Sequence, residues 1–308
     1  MRTFRLLGMA LVAVMMCVNF VACSDDEEGD DTPAKNDDGI ITNQKKLIEI
    51  KETYDDETNT LIFSYDNKGR VISAVEKDSE NSGSETTNFT WGNNSIIATE
   101  DNRSIIYTLN GGLVRTSQGD GYSTSYTYNT SNNLSIIKEI SSHSSNESYT
   151  NTLTWANNKI TKYSTEGGSE YQYTYSGKTC KGWFPCLDNE VWDNLDVVFY
   201  AHPELAGMRN SQLPDQIYSK YIDKGEYYDD YYQEICKYET TYEETIKFTY
   251  TLNSEGYVES CTVVDKDVEI RSRSFEDKNG DGVIGEDERN VSSTNTETYT
   301  TVYTCKWE

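Results

Sequence analysis

The chain predicts an all-β fold: an antiparallel meander of long hairpins forming a curled sheet or barrel, with a small helix/loop insertion. Three observations predict it. From Leu47 onward apolar and polar residues alternate, the two-residue period of a half-buried strand. A short unit also recurs: an aromatic or aliphatic residue, a polar one, another aromatic or aliphatic, then a turn rich in Asn or Gly leading into an apolar strand. Finally, the chain holds 24 tyrosines, which together with threonine suit a pleated, half-buried surface.

The first element is not part of that meander. Arg2 and Arg5 precede an uncharged run from Leu6 that closes on Phe20-Val21-Ala22-Cys23 and is followed by an acidic stretch. A positive n-region, an apolar h-region and a small residue at the cut make a secretory signal. Cysteine directly after the cut marks residues 1–22 as a lipoprotein signal peptide, with the Cys23 thiol carrying the lipid. The alternative is a transmembrane anchor, since the run is just long enough to span a bilayer. Residues 23–45 are acidic and polar, with Pro33 and few apolar groups, and read as a disordered tether. Residues 46–308 form the β-meander domain.

Its units begin at Phe63, Phe89, Tyr107, Tyr126, Leu153 and Tyr173, spaced 18 to 27 residues apart. A hairpin of two strands of about 8 to 10 residues fits each interval. Leu153-Thr154-Trp155-Ala156-Asn157-Asn158 nearly repeats Phe89-Thr90-Trp91-Gly92-Asn93-Asn94, and Phe248-Thr249-Tyr250 adds a later copy. Asn and Gly supply the positive φ angles of tight hairpins. Residues 181–235 break the pattern: three of the four prolines fall there, and Glu190 to Phe199 and Gln216 to Ile222 read as helices. That stretch is expected to plug or cover the curved sheet. A transmembrane barrel also alternates, but its lipid face is richer in Leu and Val than these Tyr- and Thr-dominated strands.

Composition narrows the partners. With 27 basic and 52 acidic residues the net charge is −25, so phosphate backbones are repelled and nucleic acid is excluded. An anionic bilayer is equally unattractive, leaving the lipid as the membrane contact. Of seven cysteines, Cys17 leaves with the signal and Cys23 is lipidated. Cys180 and Cys186 bracket a short loop and are expected to pair. Cys261 and Cys305 fall opposite one another on a hairpin centred near residue 283, which predicts a second bridge.

The Cys23-Ser24-acidic junction, Tyr65-Asp66-x-x-Gly69-Arg70-Val71, the meander and Leu213-Pro214 together resemble a Bacteroidota lipoprotein family with a porin-like fold. The Tyr-Asp-x-x-Gly-Arg element also resembles repeats of large bacterial surface toxins. The first resemblance implies an outer-membrane lipoprotein, and the acidic run behind Cys23 resembles a signal for export to the cell surface. It implies no chemistry.

One segment carries ligand chemistry. Asp277-Lys278-Asn279-Gly280-Asp281-Gly282-Val283 through Glu288 matches the twelve-residue calcium loop. Asp277, Asn279 and Asp281 offer side-chain oxygens, Val283 its carbonyl, and Glu288 a closing bidentate carboxylate. The flanks read as strands, so the loop is expected to cap a long hairpin and stiffen it. The alternative is a metal-free turn of ordinary turn formers. A second candidate contact surface is Tyr227, Tyr228, Tyr231 and Tyr232, set among acids; its alternative is a solvated loop with tyrosines packed beneath. With His143 and His202 the only histidines, a His-based triad or three-His zinc site is excluded. The chain therefore reads as a non-catalytic envelope module binding glycan or an envelope protein. The rival is a carbohydrate-active hydrolase with an acidic cleft.

Overall fold

The structure is a computed structural model that describes residues 44–55, 57–79, 83–101, 103–141, 148–182, 197–208, 212–229, 234–274 and 290–308. Strands β1 (Leu47–Tyr54), β2 (Glu57–Tyr65), β3 (Val71–Asp78), β4 (Ser84–Trp91), β5 (Ser95–Glu100), β6 (Arg103–Asn110), β7 (Leu113–Gln118) and β8 (Tyr122–Tyr128) make one half of a closed antiparallel barrel. Strands β9 (Leu134–Ser141), β10 (Ser148–Ala156), β11 (Lys159–Ser164), β12 (Glu170–Thr174), β13 (Gln216–Asp229), β14 (Glu234–Leu252), β15 (Val258–Ser274) and β16 (Asn290–Trp307) complete it. Each strand pairs with the next, and β16 returns to β1, so the expected meander closes.

The recurring unit acquires a physical meaning here. Its first aromatic or aliphatic residue, such as Phe63, Phe89, Tyr126 or Phe248, is buried in the core. Its second is half-buried and donates its polar tip to a carbonyl at the start of the preceding strand or just before it. Tyr65 Oη donates to Leu47 O, Trp91 Nε1 to Val71 O, and Tyr128 Oη to Val114 O. Trp155, Tyr175, Tyr250 and Trp307 donate in the same way to the carbonyls of Leu134, Ile160, Pro214 and Val258. Leu109 occupies this place in the unit of Tyr107 and has no donor to offer.

The turns repeat as well. Asp66 Oδ1 accepts from the amides of Lys68 and Arg70, Asn129 Oδ1 from Ser131 and Asn133, and Asn253 Oδ1 from Glu255 and Tyr257. The fourth residue of each turn, Gly69, Asn132 or Gly256, sits at positive φ. This is why Asp or Asn opens the turn and Gly or Asn follows three residues later. Tyr65-Asp66-x-x-Gly69-Arg70 is therefore an aromatic tip followed by a self-capped turn, with Arg70 closing back on Asp66.

Alternation decides which side faces the core. On β14, Ile246 and Phe248 are buried while Lys247, Thr249 and Thr251 are exposed. On β16, Thr301 and Tyr303 are buried while Thr304 and Lys306 are exposed. Apolar-in and polar-out is the inverse of a membrane-spanning barrel, whose lipid face rejects charge.

Between β12 and β13 the chain enters one end of the barrel as a plug. It contains a short helix, α1 (Val198–Ala201), and a 3₁₀ turn at Pro203–Ala206. Phe199 meets the rings of Tyr107 and Tyr126 edge-on. His202 is fully buried, accepts the Val71 amide proton at Nε2, and lies edge-on to Tyr65 and Trp91. Since Nε2 accepts, the ring is neutral and its Nδ1–H donates to Glu204 Oε1 at 3.1 Å. Burial drives the His202 pKa down despite that carboxylate. For Glu204 burial pushes upward, yet the His202 hydrogen bond and the charge of Lys46 hold the carboxyl below its usual value. Gly207 caps this turn at positive φ, where a Cβ would strike Asn132 O at 2.2 Å.

Three sequence expectations change. Residues 216–222 are strand β13, not helix, because their alternation lies in register with Tyr171 and Tyr173 of β12. The insertion consequently ends before Gln216 rather than at 235. Of the helix expected over 190–199, Val198 and Phe199 open α1, while 190–196 lie outside the described residues. The third change concerns cysteines. Cys261 pairs with Tyr303, so Cys305 sits diagonally from it, and the ladder is centred one residue earlier than expected. Diagonal neighbours stand about 7–8 Å apart, beyond easy bridging. Cys261, Cys305 and Cys180 are buried and not joined in a disulfide; the expected partner of Cys180, Cys186, lies outside the described residues.

Candidate functional site

At the end opposite the plug no described residue fills the barrel, and its wall is uneven. Strands β13 to β16 run 14, 19, 17 and 18 residues, whereas the other strands have at most 9. β12 pairs with β13 only over Gln216–Ser219, and β1 with β16 only over Thr301–Trp307. The four long strands therefore project beyond the rim as a wall. Among the described residues its free edges are 220–229 of β13 and 290–300 of β16.

Where the wall leaves the rim, its register aligns like charges. Glu244 on β14 faces Asp267 on β15, which faces Glu297 on β16. The next rung toward the tip is Tyr221, Tyr242, Glu269 and Asn295. The rings of Tyr221 and Tyr242 stack at 6.2 Å and remain 40% and 43% exposed. These rungs, with Ser219, Ser169 and Tyr171, line a cavity of about 470 Å³ whose lining includes five carboxylates and no Lys or Arg. That volume lies within the range of small-ligand sites.

The carboxylates differ in environment. Glu269 is paired with Arg271 at 2.9 Å and Glu243 with Lys220 at 2.8 Å. Glu297 accepts from Tyr299 Oη and Asn295 Nδ2, and those hydrogen bonds hold its pKa below the usual range. The carboxylate oxygens of Glu244, Asp265 and Asp267 lie within 4.8 Å of one another, a geometry that could hold a cation. On another part of the rim, Glu76 faces Glu85 across β3 and β4. Partial burial, then the charges of Glu85, Glu100, Asp78 and Glu52, push its carboxyl up to about 7. Burial also raises Glu100 and Glu139. The mouth is an anionic basin.

The residues singled out from sequence distribute as follows. Cys23, Tyr231, Tyr232 and the calcium loop, Asp277, Asn279, Asp281, Val283 and Glu288 included, lie outside the described residues. The strands on either side of that loop are antiparallel, with Arg273 opposite Asn290. The loop therefore joins a hairpin at the wall tip. Tyr227 and Tyr228 lie on β13 near the same tip, 42% and 59% exposed. They point to opposite faces of the wall, Tyr227 packing on Tyr238. Glu244, Asp267, Glu297 and Tyr242 were not singled out. Counting back by twos from buried Phe248 gives Ile246, Glu244 and Tyr242, so the parity that turns them inward was present in the sequence.

Comparison with protein-family models and with curated protein sequences gives no match. Among solved structures, the fold is similar to a porin-like protein from Bacteroides uniformis, with TM-score 0.59 and 20% identity, covering 86% of this chain and 98% of that one. A porin-like protein from Bacteroides vulgatus aligns with TM-score 0.48 and 13% identity, covering 86% of this chain and 99% of that one. The chain thus has the closed antiparallel barrel of a porin-like fold.

Proposed function

We infer that this chain is a lipid-anchored outer-membrane protein facing the cell surface, a non-catalytic binding module stiffened by one calcium ion. The observation that carries the reading is the barrel's asymmetry: one end is filled by the His202 plug and the other opens into a carboxylate- and tyrosine-lined basin. Its polar outer rows suit a barrel held beside a membrane by a lipid, not one spanning it. The tether from Cys23 joins at Lys46, whose backbone pairs with Glu308 at the plugged end, so the basin lies at the far pole.

The calcium loop fits this architecture. Asp277, Asn279, Asp281 and Glu288 supply the hard oxygen donors calcium takes, and the backbone of Val283 completes them. Its effect would be to fix the tip of the β15–β16 hairpin. A solitary extracellular site of this kind binds with a Kd on the order of 10⁻⁴ to 10⁻³ M. Titration calorimetry of residues 24–308 with calcium should give saturable heat that Asp281→Ala removes; no heat in the intact protein refutes the calcium assignment. Fatty-acid labelling lost in Cys23→Ala tests the anchor separately.

One observation favours the hydrolase alternative. Glu76, which faces Glu85 across β3 and β4, has its carboxyl pushed up to about 7, the protonation state a general acid uses. Reducing-sugar release from a glycan panel, abolished in Glu76→Gln, would establish that reading over the binding one. Against a glycan platform, Trp91, Trp155 and Trp307 spend their indole N–H groups on barrel carbonyls at the plugged end.

A further inference from the structure

The two free edges of the projecting wall are not alike. Natural sheets protect an open edge with charges, bulges or glycine, because bare N–H and C=O groups template another strand. Along the β13 edge, residues 220–229 include Lys220, Asp223, Lys224, Gly225, Glu226 and Asp229. Along the β16 edge the sequence is Asn-Val-Ser-Ser-Thr-Asn-Thr-Glu-Thr-Tyr-Thr from 290 to 300, with one charge in eleven residues. β1 stops pairing at Thr301, and no described residue continues the ladder on that side. A bulge at Ser292 interrupts the ladder near the tip, and from Ser293 to Thr300 the edge is Thr-rich with Glu297 its one charge, the composition of a strand in the interior of a sheet.

The charge beside it is one-sided. Glu297 and Asn295, on this edge strand, line the basin, and the rung inward from Glu297 continues as Asp267 and Glu244. Three carboxylates directly opposite one another repel, and a cation placed among them relieves that cost. A strand added beside β16 would put every second side chain on the Glu297 face and the others toward the Thr296, Thr298 and Thr300 face. A second copy of this chain is a poor occupant, since it carries a net charge of −25 and would bring its own Glu297 row to the contact. The acidic tether at 23–45 is repelled in the same way.

We propose that the β16 edge from 293 to 300 receives an extended peptide of a partner protein by strand addition, with a Lys or Arg set opposite Glu297, at the outer end of the Glu244–Asp267–Glu297 rung. This names the partner for the binding module proposed above and rests on that reading. Backbone pairing supplies the attachment and the carboxylate row selects basic sequences.

The test uses residues 24–308 in solution, so its outcome is independent of anchoring. The probe is an acetylated, amidated octapeptide alternating Lys and Thr. Binding is read by calorimetry and by amide hydrogen exchange across 293–300. The Lys-Thr peptide should bind and slow exchange there. Glu297→Lys, an exposed substitution checked for fold by circular dichroism, should weaken it roughly tenfold. N-methylating alternate peptide amides should weaken it by a similar factor, roughly tenfold, because strand pairing is lost.

Four results overturn the proposal. One is equal binding by the N-methylated peptide, and another is unchanged exchange at 293–300 in the bound state. A third is equal protection by spermine, which would make the basin a site for free amines. The last is protection that rises with protein concentration without peptide, which would assign the edge to a second copy. In each case a working calcium titration and lipid labelling would leave the calcium and anchor assignments standing.

Discussion

At the scale of single residues, the mouth stores electrostatic strain that a pH titration can read. Glu76 is half-buried among Glu85, Glu100, Asp78 and Glu52, and its folded-state pKa is raised to about 7 from an ordinary 4.5. A raised carboxyl favours the folded state while protonated. Its stabilisation is fully present below 4.5 and is lost as pH rises through about 7. Glu76→Gln should therefore leave stability unchanged at pH 4 and raise it at pH 8, by about 1 kcal/mol once solvent screening at the open rim is allowed for. Urea denaturation of both proteins at the two pH values measures it; equal curves at pH 8 would show that the rim relaxes or takes up counter-ions. Sequence alone does not reach this result, because 52 acids are distributed along the chain and only the register of β1 through β5 gathers these five.

At the scale of elements, hairpins and turns were legible because their chemistry is local. The Asn253-to-Gly256 turn is specified by the residues within it: one side chain caps two amides and one glycine takes positive φ. Asn253→Ala removes both caps and should destabilise the protein by about 1–2 kcal/mol. The same loss is expected for Asn129→Ala, and thermal melts of the two variants should fall together. What misled was the stretch from Gln216. Its Ile217, Tyr218, Tyr221 and Ile222 satisfy a helical spacing as well as a strand's, and the choice is made by β12 and β14, which are distant in sequence. The Cys261–Cys305 expectation failed on a register difference of one residue at the hairpin centre. The Asp-, Asn- and Gly-rich sequence between the two strands says little about register.

At the scale of the whole molecule, the plug and the barrel depend on each other through His202. Its ring faces Glu204, Lys46, Asp66, Tyr65 and Trp91, and its Nε2 accepts from Val71 only while neutral. Burial depresses its pKa. The stabilisation is therefore present above 6.5 and is lost as pH falls toward the folded value. His202→Phe keeps an aromatic ring but removes both hydrogen bonds, the one to the buried Glu204 carboxylate included. It should cost roughly 3 kcal/mol at pH 7.5 and flatten the decline in stability below pH 6.5. Urea midpoints between pH 5 and 7.5 check both parts. The sequence marked His202-Pro203 as punctuation; that it would reach Val71, 131 residues earlier, depends on the plug folding back into the barrel.

The seam between β1 and β16 sets the order in which this molecule can assemble. Every other strand pair joins neighbours in the chain, but Tyr303 Oη reaches Glu52 across 251 residues, and Lys46 and Glu308 exchange backbone hydrogen bonds. Local hairpins can zip one after another, whereas the seam must wait for Thr301–Trp307 and for closure of the long loop that separates them from β1. Until then β1 and β16 are both open edges, the state in which a β protein is most exposed to wrong pairing. The closing step is thus a single long-range event, and the kinetics of folding should be governed there rather than in any of the hairpins.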